Sequence, residues 1–186
     1  MSLLQRYQSL SPSTRFLLRA FSVYALWELC NSILIKNASF KSFWLGMRNG
    51  LIENIVDVSE WTIRILGYDL LRDGVFLKID ESPGVLVGPA CAGFGLMFAF
   101  TGLILVYEGS WRKKLWFIPT GMAGIHLINI LRIVILTIMS NYNYRLVEFN
   151  HKYVFNTLVY VFLFLMWVAW VRFLERDQKK KQGSPD

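Results

Sequence analysis

Four apolar runs, each close to the roughly 20 residues a helix needs to cross a bilayer, alternate with short polar stretches: 16–35, 91–107, 115–139 and 153–173. Residues 40–66 show a different pattern. Trp44, Met47, Leu51, Ile55, Val58, Thr62 and Ile65 recur at steps of three and four, while Asn49, Glu53, Asp57, Glu60 and Arg64 fall mainly on the other side. Charges cost about 2.5–3.5 kcal/mol each at the centre of a membrane helix. The pattern therefore predicts an amphipathic helix at the outer surface, the alternative being a tilted span with its charges turned into a cavity. Gly67 closes this helix, and 75–79 and 85–87 read as two short strands around the turn 80–84. The fold class is an all-α membrane protein of about four transmembrane helices, with an outer amphipathic helix and a short β-hairpin before the second span.

Composition agrees with a membrane chain: of 186 residues, 54% are hydrophobic and 16% aromatic. The net charge of +7 does not signal nucleic acid, because the basic residues cluster beside apolar runs. Arg6, Arg15 and Arg19, then Arg112, Lys113 and Lys114, then Arg176, Lys179, Lys180 and Lys181 mark one side of the membrane, the cytoplasmic side by the positive-inside rule. The domain reading is a cytoplasmic segment at 1–15, one membrane domain at 16–174 and a basic, disordered cytoplasmic tail at 175–186. Glu28 interrupts the first apolar run and no small-x-small site follows it, so that run is expected to be a permanent anchor in the cytoplasmic membrane.

This topology sends the start of the second run and the start of the fourth to the outer side. The second opens on Gly88-Pro89-Ala90-Cys91-Ala92-Gly93, with a thiol where a helix leaves its first N–H groups unpaired and its dipole positive, conditions that favour a thiolate. Arg132 lies inside the third run and should face the bundle interior with a partner. Asn129 precedes it by one turn. Position alone leaves two readings for Arg132, a functional cation or glue between helices, with Glu28 as its partner in the second. His151 opens the fourth run and can exchange a proton near neutral pH, or can be a solvated loop residue. His126 lies deeper and reads as structural. The other cysteine, Cys30, falls inside an apolar helix; the two cysteines show no metal spacing, no metal or cofactor is expected, and no G-x-S-x-G supports a serine nucleophile.

The Pro89-Ala90-Cys91-Ala92-Gly93 opening, Asn129-x-x-Arg132-Ile133 and the His151 opening, in that order, resemble the exosortase/archaeosortase family of membrane transpeptidases over roughly residues 75–173. Two departures are visible: Ala92 stands where serine is common in the family, and the chain is shorter than the eight-helix members. The resemblance implies a cysteine protease/transpeptidase with Cys91, Arg132 and His151 as catalytic residues and Asn129, Gly93 and Asn150 supporting them or positioning substrate. It implies as partners substrate proteins carrying a C-terminal sorting signal, made of a short motif, a transmembrane helix and a basic tail. Cleavage would occur on the outer side of the membrane, among lipids and without nucleic acid, and be followed by transfer to an acceptor. The competing expectation is a non-enzymatic scaffold or small transporter component, in which Arg132, Asn129, His126 and Glu28 form a buried polar network.

Overall fold

The computed structural model describes residues 36–107, 109–143, 147 and 150–182 and scattered positions between 10 and 33; the side chains of 151–152 and 175–182 lie outside this description. Cys30 and part of the first apolar run, 16–35, also fall outside it. Among the described residues three helices are long and apolar enough to cross a membrane: Pro89–Val106, Trp111–Tyr142 and Phe155–Leu174. They correspond to the second, third and fourth predicted runs, and the molecule is a mostly α membrane protein.

The first element, α1 (Ala38–Ile65), begins where Asn37 Oδ1 accepts from the N–H groups of Ser39 and Phe40, at 3.0 and 3.2 Å. It ends at Gly67, φ +89°. There the Gly67 and Tyr68 N–H groups return to the Arg64 and Ile63 carbonyls, the paired bonds of a Schellman motif. The buried face is Ile52, Ile55, Val56, Ser59 and Ile63. That stripe is rotated by about a residue from the expected one, and Met47 and Ile65 are exposed. Ser59 can occupy the apolar face because its hydroxyl donates to the Ile130 carbonyl, 3.5 Å away.

A three-stranded antiparallel sheet follows, β1 (Leu70–Asp73), β2 (Phe76–Ile79) and β3 (Val85–Leu86), in the order β1-β2-β3. The hairpin β2–β3 is the predicted one. Strand β1 was not expected, since only Leu70 of its four residues is buried and no alternation announces it. Leu70, Leu77, Ile79 and Val87 pack in one core with Ile52, Ile55, Ile63, Ile130 and Ile133. Arg72 fastens the sheet to α1, donating to Asp57 at 2.7 Å and to Glu60 at 2.8 Å. The hydrogen bond from Arg72, helped by Arg64, holds the Glu60 carboxyl below the usual carboxylate range. A depressed carboxylate adds stability above its unfolded pKa and loses it as pH falls through the folded value. Arg72→Ala is therefore expected to cost up to about 1 kcal/mol at neutral pH. The gap from the native chain should close on acidification, as thermal unfolding in detergent across pH will show.

The next helix, α2 (Phe94–Val106), follows a 3-10 turn, Pro89–Ala92, and leads to the 32-residue α3 (Trp111–Tyr142). Because α3 starts at Trp111, Pro119 sits two turns inside it and not in its first turn, as the predicted start at 115 would have placed it. Lys114 folds back to donate to the Leu105 and Tyr107 carbonyls, at 2.8 and 2.7 Å, which closes the C-terminal end of α2. A π-helical turn, Asn150–Val154, opens the last helix, α4 (Phe155–Gln182).

The contacts along α3 set the register of its neighbours. Asn54 meets His126, Ser59 meets Ile130 and Tyr68 meets Tyr142, so α1 runs parallel to α3 and lengthwise beside it. It does not cap the end of the bundle as an interfacial helix would. Helix α2 runs antiparallel, with Phe100 seated at Gly121, where a side chain would displace the ring, and Gly93 against Ile125 and Asn129. Helix α4 is antiparallel too: Phe162 lies at Gly124, the Trp170 ring lies tilted against Phe117 with centroids 4.9 Å apart, and Lys113 sits 4.6 Å above the Phe173 ring.

Candidate active site

Cys91 is a buried cysteine, 3% exposed, on the 3-10 turn before α2. Pro89 starts the turn and the Cys91 N–H closes it onto the Gly88 carbonyl at 2.9 Å. The expected continuous helix from Cys91 is interrupted at Gly93, whose φ of +64° is left-handed. This break sets Cys91 just ahead of α2 and not within its first turn. The first bond of α2 is donated by Met97 to the Gly93 carbonyl, so the N–H groups of Phe94, Gly95 and Leu96 precede the ladder and open toward the cysteine turn.

The turn is held by α1 and α3. Cys91 and Ala92 share a core with Ile52, Ile55, Ile130, Ile133 and Val134. Arg132, 5% exposed, rises between Ile130 and Ile133. It lies two turns beyond Ile125 and one beyond Asn129, the residues that meet Gly93, so it projects on the face of α3 that carries the cysteine turn. The guanidinium and the Cys91 sulfur are within electrostatic reach of each other. Glu28, the partner expected if Arg132 were only glue, is exposed and forms no ion pair among the described residues. Ten residues separate Arg132 from Tyr142, about 15 Å along the axis, which is deeper than the ~10 Å the shorter predicted helix implies.

The third element arrives from α4. Phe155 is buried against Leu136, one turn beyond Arg132, and the turn Asn150–Val154 packs on α3. Continuing the register of Phe162 at Gly124 back along α4 brings the His151 backbone to within about one turn, ~5 Å, of Arg132 along the α3 axis. Asn150 is half-buried there. The His151 side chain lies outside the described residues. His126 does not join this group: its Nε2 pairs with Asn54 Oδ1 at 2.8 Å, about 9 Å below Arg132, and ties α1 to α3.

A cysteine, an arginine and the histidine-bearing turn, each from a different segment, thus meet at one level of the bundle. The family model for transmembrane exosortase (Exosortase_EpsH) matches residues 32–171, which takes in all three segments and the whole of α1. The chain belongs to the transmembrane exosortase family. No curated protein and no solved structure matches it. In this exosortase-family chain α1 and β1, which lie outside the resemblance drawn on residues 75–173, belong to the matched region, consistent with their sharing a core with the cysteine turn. What the sequence did not disclose is the row of N–H groups at Phe94, Gly95 and Leu96 that stands ahead of the first bond of α2. The only sign of it was the Gly93-Phe94-Gly95 run.

Proposed function

We propose that this protein is a membrane cysteine transpeptidase that cleaves substrate proteins at a C-terminal sorting signal on the outer side of the cytoplasmic membrane and passes them to an acceptor. The observation that carries the reading is the Cys91 sulfur, sequestered from solvent within electrostatic reach of the Arg132 guanidinium. A guanidinium beside the sulfur can fix its position for attack. The thiolate attacks the scissile carbonyl, the tetrahedral intermediate expels the amine, and a thioester to Cys91 remains. His151 takes the thiol proton and returns it to the leaving amine; Arg132 holds the sulfur in line with the carbonyl. An amine, hydroxyl or water then attacks the thioester and frees Cys91.

Cys91→Ser tests the assignment. It should leave the folded protein at its normal level in the membrane while substrates with the tripartite C-terminal signal accumulate uncleaved. Undiminished processing would show that the chain acts as a scaffold. Sidedness has its own test, because Asp73 is exposed in β1 near the cysteine turn. In a background with both native cysteines replaced by serine, Asp73→Cys should react with a membrane-impermeant maleimide added to spheroplasts. Labelling only after the membrane is opened would reverse the topology.

A further inference from the structure

The reaction needs a place for the negative charge that develops on the carbonyl oxygen. Asn129 is 1% exposed, and its Nδ2 is a buried donor with no hydrogen-bond partner among the described residues. Leaving such a donor unmet costs about 1–3 kcal/mol, which a buried amide repays only when it meets an acceptor. That nitrogen is pressed against Gly93, so closely that a Cβ there would overlap it. Gly93 is the left-handed residue between Cys91 and the helix whose leading N–H groups, at Phe94, Gly95 and Leu96, stand ahead of the first intrahelical bond. A left-handed residue joined to a helix start arranges successive N–H groups into an anion-binding concavity, and the α2 dipole adds positive potential there.

We infer that Asn129 Nδ2 and the leading N–H groups of α2 form the oxyanion hole for the carbonyl that Cys91 attacks. The inference rests on Cys91 being the nucleophile. In the step it describes, the sulfur lone pair forms the S–C bond and the carbonyl π pair moves onto oxygen. That oxygen is received by Asn129 and the helix start, until the pair returns and the C–N bond breaks with its electrons on nitrogen, which takes the proton held by His151. Arg132 is thereby a partner of the sulfur and Asn129 a partner of the oxygen. The close fit of Gly93 on Asn129 is explained as well: any larger residue would push the amide donor out of the hole.

Two reagents separate these roles in the full-length protein with Cys30→Ser, leaving one thiol. Methyl methanethiosulfonate reacts at sulfur and generates no oxyanion. The peptide aldehyde acetyl-leucyl-leucinal adds to the thiol and places a tetrahedral oxygen where the scissile carbonyl oxygen would sit. Its binding is read as protection of Cys91 from the first reagent, by intact mass. Asn129→Leu, similar in volume with no donor, should weaken aldehyde protection about 10²–10³-fold while methanethiosulfonate reacts at the native rate within about twofold, the loss seen when one oxyanion donor is removed. Asn129→Asp, which replaces the donor by an acceptor, should do the same. Unchanged protection in both variants overturns the inference, as does absence of protection in the native protein. Parallel loss of both reactions in both variants overturns it too, assigning Asn129 to packing. Failure of the underlying nucleophile reading looks different: Cys91→Ala would still process substrate.

Discussion

Arg132→Met is expected to reduce substrate processing by about 10³-fold while the chain keeps or slightly gains thermal stability. The activity loss follows from removing a preorganised cation beside the reacting sulfur, where one such group supplies about 3–4 kcal/mol of transition-state stabilisation. The stability expectation follows from burial. Arg132 is 5% exposed within a membrane helix, and replacing a buried charge by an apolar side chain of similar length is often neutral or stabilising. Methionine also keeps the helix propensity. Arg132→Lys should recover only a small part of the activity, since an ammonium lacks the planar fork that can hold two atoms in line. A structural arginine predicts the opposite pattern, a lower unfolding temperature with processing retained in whatever fraction folds. Quantifying uncleaved substrate in membranes beside the melting curve of the purified protein distinguishes the two.

Gly93→Ala should damage both stability and activity. At φ +64° a Cβ costs about 1–2 kcal/mol of backbone strain. Here it would also run into Asn129 Nδ2 and come within 3.2 Å of Ile125 Cγ2, an overpacking that adds about 1–3 kcal/mol. Relief can come only by opening the turn or shifting α2 from α3, and either motion carries Cys91, two residues away. Processing should fall by at least the factor seen for the loss of one catalytic group, about 10²-fold. Adding Asn129→Ala to Gly93→Ala should return part of the stability without returning activity. Recovery of both would mean that the overlap is the whole defect.

Much of this architecture is written in the residue pattern. The second, third and fourth spans are legible because apolar runs of bilayer length leave few alternatives, and Arg132 stands out as a candidate because it places a charge inside such a run. The lengthwise seat of α1 was not, for a reason that can be named. Its charges were costed as though each met lipid alone, whereas Asp57 and Glu60 are met by Arg72 from β1, a strand with no alternating pattern to announce it. Position along a helix also says little about the partners of a polar side chain. Glu28 and Arg132 are a plausible pair by depth, but Glu28 is exposed and has no ion-pair partner among the described residues, and His126 pairs with Asn54 of α1. The break at Gly93 was hidden for another reason. A glycine inside an apolar run does not announce its backbone handedness, and only the structure shows that Gly93 is left-handed and fitted against Asn129.

The central claim is covalent, and it can be caught. In membranes containing a substrate protein with a C-terminal sorting signal, brief acid quenching followed by mass spectrometry of the exosortase-family chain should reveal the cleaved substrate joined to Cys91. Neutral hydroxylamine should release it, as a thioester requires, and Cys91→Ala should lack the adduct. Substrate cleaved at the normal rate with no adduct on Cys91, or with the adduct on another residue, would contradict the account.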